Sequence, residues 1–155
     1  CERGLHYGPS KKVLLEYKQG RDCLVIGKVD DRTLSVVPAK KTLLGMWKMK
    51  PGMITATNGI NYENDRVMGS FSQGFSLAYG LTDLENADKI SFVLEYKDNT
   101  MPDFEKTERI EADVDKDGFY YVQYKVPDDD KWYYVKDIEV YDKSGNIIYT
   151  QEYGF

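Results

Sequence analysis

Six consecutive residues carry the pattern with the most chemical content. Asp113-Val114-Asp115-Lys116-Asp117-Gly118 matches the first half of a calcium loop, D-x-D-x-D-G. Calcium takes about six to eight oxygen ligands, alternate aspartates can wrap one cation, and glycine permits the sharp turn. The closing position is Tyr124, which has no carboxylate to supply two oxygens, and the flanks read as strands rather than helices. Calcium held by Asp113, Asp115 and Asp117 therefore stands as an alternative. Beside it stands the plain reading of a hairpin turn between charged strands.

Other carboxylates cluster at Asp128-Asp129-Asp130, Asp103/Glu105 and Glu63/Asp65, in stretches rich in turn formers. Turns favour Asp for its backbone-bonding side chain, so these clusters do not by themselves make a general acid–base pair. The single histidine, His6, lies in a Gly- and Pro-containing lead segment. Ser70-Phe71-Ser72-Gln73-Gly74 lacks the G-x-S-x-G elbow of a serine nucleophile, and no Lys-Ser/Thr follows it to complete a phosphate loop. No nucleophile–base constellation is readable, so the expectation is a protein without catalytic activity and without a cofactor. A cell-wall hydrolase is the weakest alternative.

Two cysteines remain. The chain begins at Cys1, the position that carries lipid in a processed bacterial lipoprotein. Residues 2–10 have the Gly, Pro, Ser and charge of a tether. Cys1 is thus the candidate lipid-attachment residue. The implied location is extracytoplasmic, anchored to a bacterial cell membrane, with secretion as the alternative. Cys23 lies in the apolar run Cys23-Leu24-Val25-Ile26, where a thiol acts as a small hydrophobe. A Cys1–Cys23 disulfide stays open if Cys1 is not lipidated, and so does an arbitrary chain start.

The elements that would position these residues follow a period of two, with short runs parted by turn signals. Strands are expected at 12–17, 23–29, 33–37 (stopped at Pro38) and 42–49. Residues 51–66 are dense in turn formers. Residues 67–79 carry Gly69 and Gly74 among aromatics and read as glycine-broken strands. Further strands are expected at 88–96, 108–114, 119–126, 133–141 and 147–150, with turns at 115–118, 127–130 and 142–146. Such spacing indicates a sandwich or barrel.

The stretch "YGLTDLENADKISFVLEYKD … DKDGFYYVQYKVPDD … VKDIEVYDKSGNIIYTQ" resembles the immunoglobulin-like β-sandwich of secreted and lipid-anchored proteins of Gram-positive bacteria. "DCLVIGKVDDRTLSVVPAKKTLLGMWKMK" is similar, more weakly, to small uncharacterised lipoproteins of the same bacteria. The resemblance implies a binding module and no catalytic residues. The expected architecture is all-β: a tether at 1–10, an antiparallel β-meander at 11–78 and an immunoglobulin-like sandwich at 79–155. The antibody-type Cys…Trp…Cys pattern is absent.

Composition narrows the partners. Residues 1–78 hold 12 Lys/Arg against 7 Asp/Glu, and residues 79–155 hold 9 against 19. The acidic half excludes a general nucleic-acid binder, and the basic half suits anionic headgroups. Tyr accounts for 13 of the aromatic residues, as fits pleated surfaces and interfaces. Asn61, Tyr62, Trp132 and Tyr133, beside two loop segments, are the candidate binding surface. The expected partners are the membrane, through the N-terminal lipid, and an envelope protein or cell-wall ligand.

Overall fold

The computed structural model describes residues 10–49, 65–98, 106–124 and 131–154. They form antiparallel sheets and one short 3-10 turn, so the chain is all-β. It divides into two compact units, Cys1–Asn61 and Tyr62–Phe155.

The first unit holds one sheet in chain order: β1 (Lys12–Gln19), β2 (Asp22–Asp30), β3 (Thr33–Lys41) and β4 (Trp47–Met49). This is the expected meander. Its two central strands carry the buried side chains Cys23, Leu24, Ile26, Val29, Leu34 and Val36. Two boundaries differ from expectation. β3 runs through Pro38 to Lys41, with Pro38 opposite Leu24. Among the described residues β4 pairs with β3 over Ala39–Lys41, beyond Pro38, and Pro38 is paired with β2. The expected strand at 42–49 shrinks to three residues, because Thr42–Met46 is a turn with Gly45 at φ +80°.

The second unit holds two sheets. One has three strands in the order β5 (Val67–Ser72), β6 (Leu77–Thr82), β9 (Phe119–Gln123). The other has four, in the order β11 (Ile147–Tyr153), β10 (Lys131–Tyr141), β7 (Lys89–Asp98), β8 (Lys106–Asp113). The glycine-broken segment at 67–79 is the hairpin of β5 and β6, joined by the 3-10 turn Gln73–Phe75 and by Ser76 at φ 50°. Its pairing places it in the second unit, upstream of the division at residue 78 suggested by the sequence.

The inner faces of these sheets share one core. Val67, Ala78 and Tyr120 from the three-stranded sheet meet Ile90, Phe92, Leu94, Ile110, Ala112, Val135, Ile138 and Val140 from the four-stranded one. Apolar residues at every second position of β7 build this face, and their burial drives the sheets together. The arrangement is sandwich-like. β10 departs from strict alternation. Val135 and Ile138 are both buried, and between them Asp137 stands at φ 49°, where the register with β7 shifts. One extra residue turns Lys136 outward and returns Ile138 to the core.

Candidate functional site

The calcium-like pattern does not form the expected hairpin. It is a tight turn that carries the chain from β8 in the four-stranded sheet to β9 in the three-stranded one, with the isolated bridge Val114–Tyr120 across it. Asp115 closes it through one carboxylate oxygen. Asp115 Oδ1 accepts the N–H of Asp117 at 2.8 Å and of Phe119 at 3.0 Å. The Asp115 N–H donates to Phe119 O at 2.9 Å, and the Gly118 N–H to Asp115 O at 3.0 Å. Gly118 takes φ +75°. Asp142 repeats this geometry: its Oδ1 accepts the N–H of Ser144 at 2.8 Å and of Asn146 at 2.9 Å, with Gly145 at φ +81°. Thr42 repeats it with a hydroxyl, as its Oγ1 accepts the Met46 N–H at 3.2 Å and Gly45 supplies the positive φ.

All three turns therefore use a side-chain oxygen at the first position and glycine at the fourth. Asp115 closes the turn through Oδ1, one of the two oxygens it could offer a cation. Asp113 ends β8, and Asp117 sits at the turn's third position. No group of three or more His, Cys, Asp or Glu side chains positioned to hold a metal ion occurs among the described residues.

Cys1, Asn61 and Tyr62 lie outside the described residues, as do His6, Glu63 and the clusters at 103–105 and 128–130. Trp132 and Tyr133 belong by their backbone to β10, opposite Lys97 and Tyr96; their side chains are outside the described set. Cys23 is a buried free thiol. Burial and, next, the Glu16 carboxylate push its pKa up, so the reactive thiolate is disfavoured.

The four-stranded sheet carries an ordered polar cluster. Arg109 Nη1 donates to Glu139 Oε2 at 2.7 Å and to Ser91 Oγ at 2.9 Å, and the Tyr141 hydroxyl donates to the same Glu139 oxygen at 2.5 Å. The Tyr141 hydroxyl, and then Arg109, hold the Glu139 carboxyl below its ordinary value despite partial burial. Beside it, Lys136 Nζ meets Glu95 at 2.5 Å. Each acid faces a cation, an arrangement that stitches β7, β8 and β10 together.

Two apolar surfaces stand out. At the β3–β4 turn, Leu43 is 92% exposed, Leu44 84%, Met46 57% and Trp47 44%. Lys40, Lys41 and Lys48 are exposed behind them. Arg21, on the neighbouring β1–β2 turn, donates from Nε and Nη2 to Lys41 O. On the second unit, β11 is the outer strand of its sheet and exposes Ile147, Ile148 and Tyr153. Neither surface supplies any of the binding residues expected from the sequence, where Trp47 reads as a core residue or, if exposed, a contact side chain. The readable signal for the first was the T-x-x-G spacing it shares with D-x-x-G at Asp115 and Asp142. An apolar run at a turn has no strand to bury it.

Comparison with known protein families, with characterised proteins and with solved structures finds no match to this chain.

Proposed function

We propose that this chain is a non-catalytic binding module that works outside the cytoplasm and is held to a bacterial membrane by lipid on Cys1. The second unit is read as immunoglobulin-like. Its first, second and fifth strands form one sheet, and its third, fourth, sixth and seventh form the other. The constant-type domain divides seven strands four to three, as the strands of the described residues do here; in this unit the fourth strand pairs with the third instead of the fifth.

The observation that carries the binding reading is the contrast between the two edges of the four-stranded sheet. β8, KTERIEAD, is blunted by alternating charge. β11, IIYTQEY, has Glu152 as its one charged residue and exposes Ile147, Ile148 and Tyr153. An edge of this kind accepts an extended segment of an envelope protein by strand addition, with main-chain hydrogen bonds for affinity and the isoleucines for grip.

A photo-reactive residue at position 148, compared with one at Glu108 on β8, tests this in the native envelope. A discrete protein adduct from 148 and none from 108 is expected. Equal labelling at both, or an adduct only between copies of this chain, would sink the reading. Intact mass of the protein from the membrane fraction tests the anchor: a diacylglyceryl increment on the N-terminal peptide is expected, and an unmodified Cys1 would remove it.

A further inference from the structure

We propose that the Thr42–Met46 hairpin is a membrane-docking finger that enters the headgroup region of an anionic lipid surface. The proposal rests on the first unit alone and depends neither on β11 nor on the chemistry of Cys1.

The tip has the composition an interface requires. Leu43 and Leu44 project almost fully into solvent, with Met46 and Trp47 beside them. Apolar side chains grouped at one exposed turn are an unstable arrangement in water and a stable one at the boundary of acyl chains. Trp favours that boundary, where its ring is apolar and its N–H is wet.

The backbone is prepared for a medium poor in water. Thr42 N–H donates to Met46 O at 2.7 Å, Gly45 N–H to Thr42 O at 3.1 Å, and Met46 N–H to Thr42 Oγ1 at 3.2 Å. A turn that satisfies these donors internally enters a low-dielectric layer at less penalty than an open loop.

The charge behind the tip selects the kind of surface. Residues 40–49 contain three lysines and no carboxylate. Lys40 and Lys48 stand directly opposite each other across β3 and β4. Like charges in that position weaken a hairpin in isolation. Anionic headgroups turn the same pair into an attraction, since each basic residue near such a surface adds to binding. Lys41 places its stem over the turn, with Cε 3.9 Å from where a β-carbon of Gly45 would lie. Among the described residues, Asp22 on β2 is an acidic group directly opposite Lys40. Arg21, adjacent to it, offsets that charge.

The test uses the full chain with unmodified Cys1 and vesicles of phosphatidylcholine, with and without phosphatidylglycerol. The expected result is binding to the anionic vesicles that weakens with added salt. It comes with a blue shift of tryptophan emission that disappears in Trp47→Phe. The double variant Leu43→Asp, Leu44→Asp is expected to lower partitioning about tenfold or more, because both leucines would leave the apolar layer. Its thermal melt should match the parent, since these side chains touch little of the fold. Lys40→Glu with Lys48→Glu should abolish the preference for anionic lipid. Three outcomes overturn the proposal. The parent fails to bind anionic vesicles at low salt. The double leucine variant binds as well as the parent, which makes the contact adsorption through lysines alone. Or sedimentation shows a dimer that the double variant dissolves, with no vesicle binding, which assigns the tip to a second copy of this chain.

Discussion

The Tyr120 hydroxyl donates to the Met68 carbonyl at 2.7 Å, and it gets there by crossing a whole strand. Tyr120 on β9 lies opposite Gly80 on β6, and Met68 lies on β5 beyond. The ring passes over the bare α-carbon of Gly80, where an added β-carbon would sit 2.0 Å from Met68 O and 2.3 Å from the Tyr120 hydroxyl. A large aromatic over a strand glycine restores the packing that glycine lacks. Burial pushes the phenol's pKa well up, so it stays a donor.

That geometry separates two substitutions. Tyr120→Phe keeps the ring and leaves the Met68 carbonyl without this donor, a loss of about 1–3 kcal/mol. Gly80→Ala forces backbone and ring apart together and is expected to exceed that loss, at about 3 kcal/mol or more. Urea unfolding of both variants checks the order. A Gly80→Ala protein more stable than Tyr120→Phe would show that the strand absorbs the methyl group.

The two glycines of the aspartate turns make a second contrast. Gly118 and Gly145 both need positive φ, and alanine there is strained by about 1–2 kcal/mol. At Gly145 nothing lies within 4 Å of the added carbon. At Gly118 it meets Thr82 O at 2.1 Å, because the Thr82 N–H donates to Gly118 O and draws the turn onto β6. Gly145→Ala should lower the melting temperature by a few degrees, and Gly118→Ala should prevent folding or cost at least twice as much. Equal losses would remove Thr82 from the explanation.

Asp115 decides between a turn and a metal loop. Asp115→Asn keeps a side-chain acceptor for the N–H groups of Asp117 and Phe119, and is expected to stay within about 0.5 kcal/mol of the parent. Asp115→Ala should lose about 1 kcal/mol, as when other side-chain caps are removed. Calcium should leave the melting temperature of all three proteins unchanged. A rise in the parent that Asp115→Asn abolishes would demand a native-state site and restore the calcium reading.

The same aspartate geometry carries a pH dependence. The Asn146 side chain, and then its N–H, hold the Asp142 carboxyl below its ordinary 3.8. The Tyr141 hydroxyl leads the groups holding Glu139 below 4.5. Both carboxyls bind protons more weakly folded than unfolded. Their contribution is complete above the ordinary values and is lost as pH falls through the lowered ones. Stability should therefore be flat on these two accounts down to about pH 5 and fall below it, and Asp142→Asn should fall less steeply. Urea midpoints across that range give the answer. An identical slope in the variant would detach Asp142 from the acid limb.

What could be read in the chain was whatever repeats locally. The alternation of Ile90, Phe92 and Leu94 gave β7 and its buried face. The turn chemistry at 115–118 and 142–146 gave two tight turns, but only the second is a hairpin, joining β10 to β11. The first passes between the sheets, which local turn residues do not state. Thr42–Met46 was hidden because Leu43, Leu44, Met46 and Trp47 look like strand residues, while Thr42 and Gly45, which make the turn, are unremarkable by composition. The extension of β3 past Pro38 is set by its pairing with β2, Leu24 to Asp22 against Pro38 to Lys40, which no local pattern states. Lys41 and the leucines become a surface only once the turn is known. The apolar edge of β11 appears only in the strand order.

Asp137 shows how a single residue sets which face a strand presents. Val135 and Ile138 are three apart, Ile138 and Val140 two apart, and all three are buried. Asp137 absorbs the odd residue at φ 49°, a conformation that Asp tolerates and a β-branched residue does not. Asp137→Gly should therefore be neutral within about 0.5–1 kcal/mol, the relief of strain offsetting the flexibility gained by the unfolded chain. Asp137→Val should cost about 1–2 kcal/mol. Deleting Asp137 removes the bulge and leaves a choice: either Val135 or Ile138 with Val140 must leave the core, because a one-residue slip reverses every side chain beyond it. The deletion should abolish cooperative unfolding in a urea titration. A deletion protein that melts like the parent would show that β10 can re-register against β7, and that the outward position of Lys136 against Glu95 is not set by the bulge.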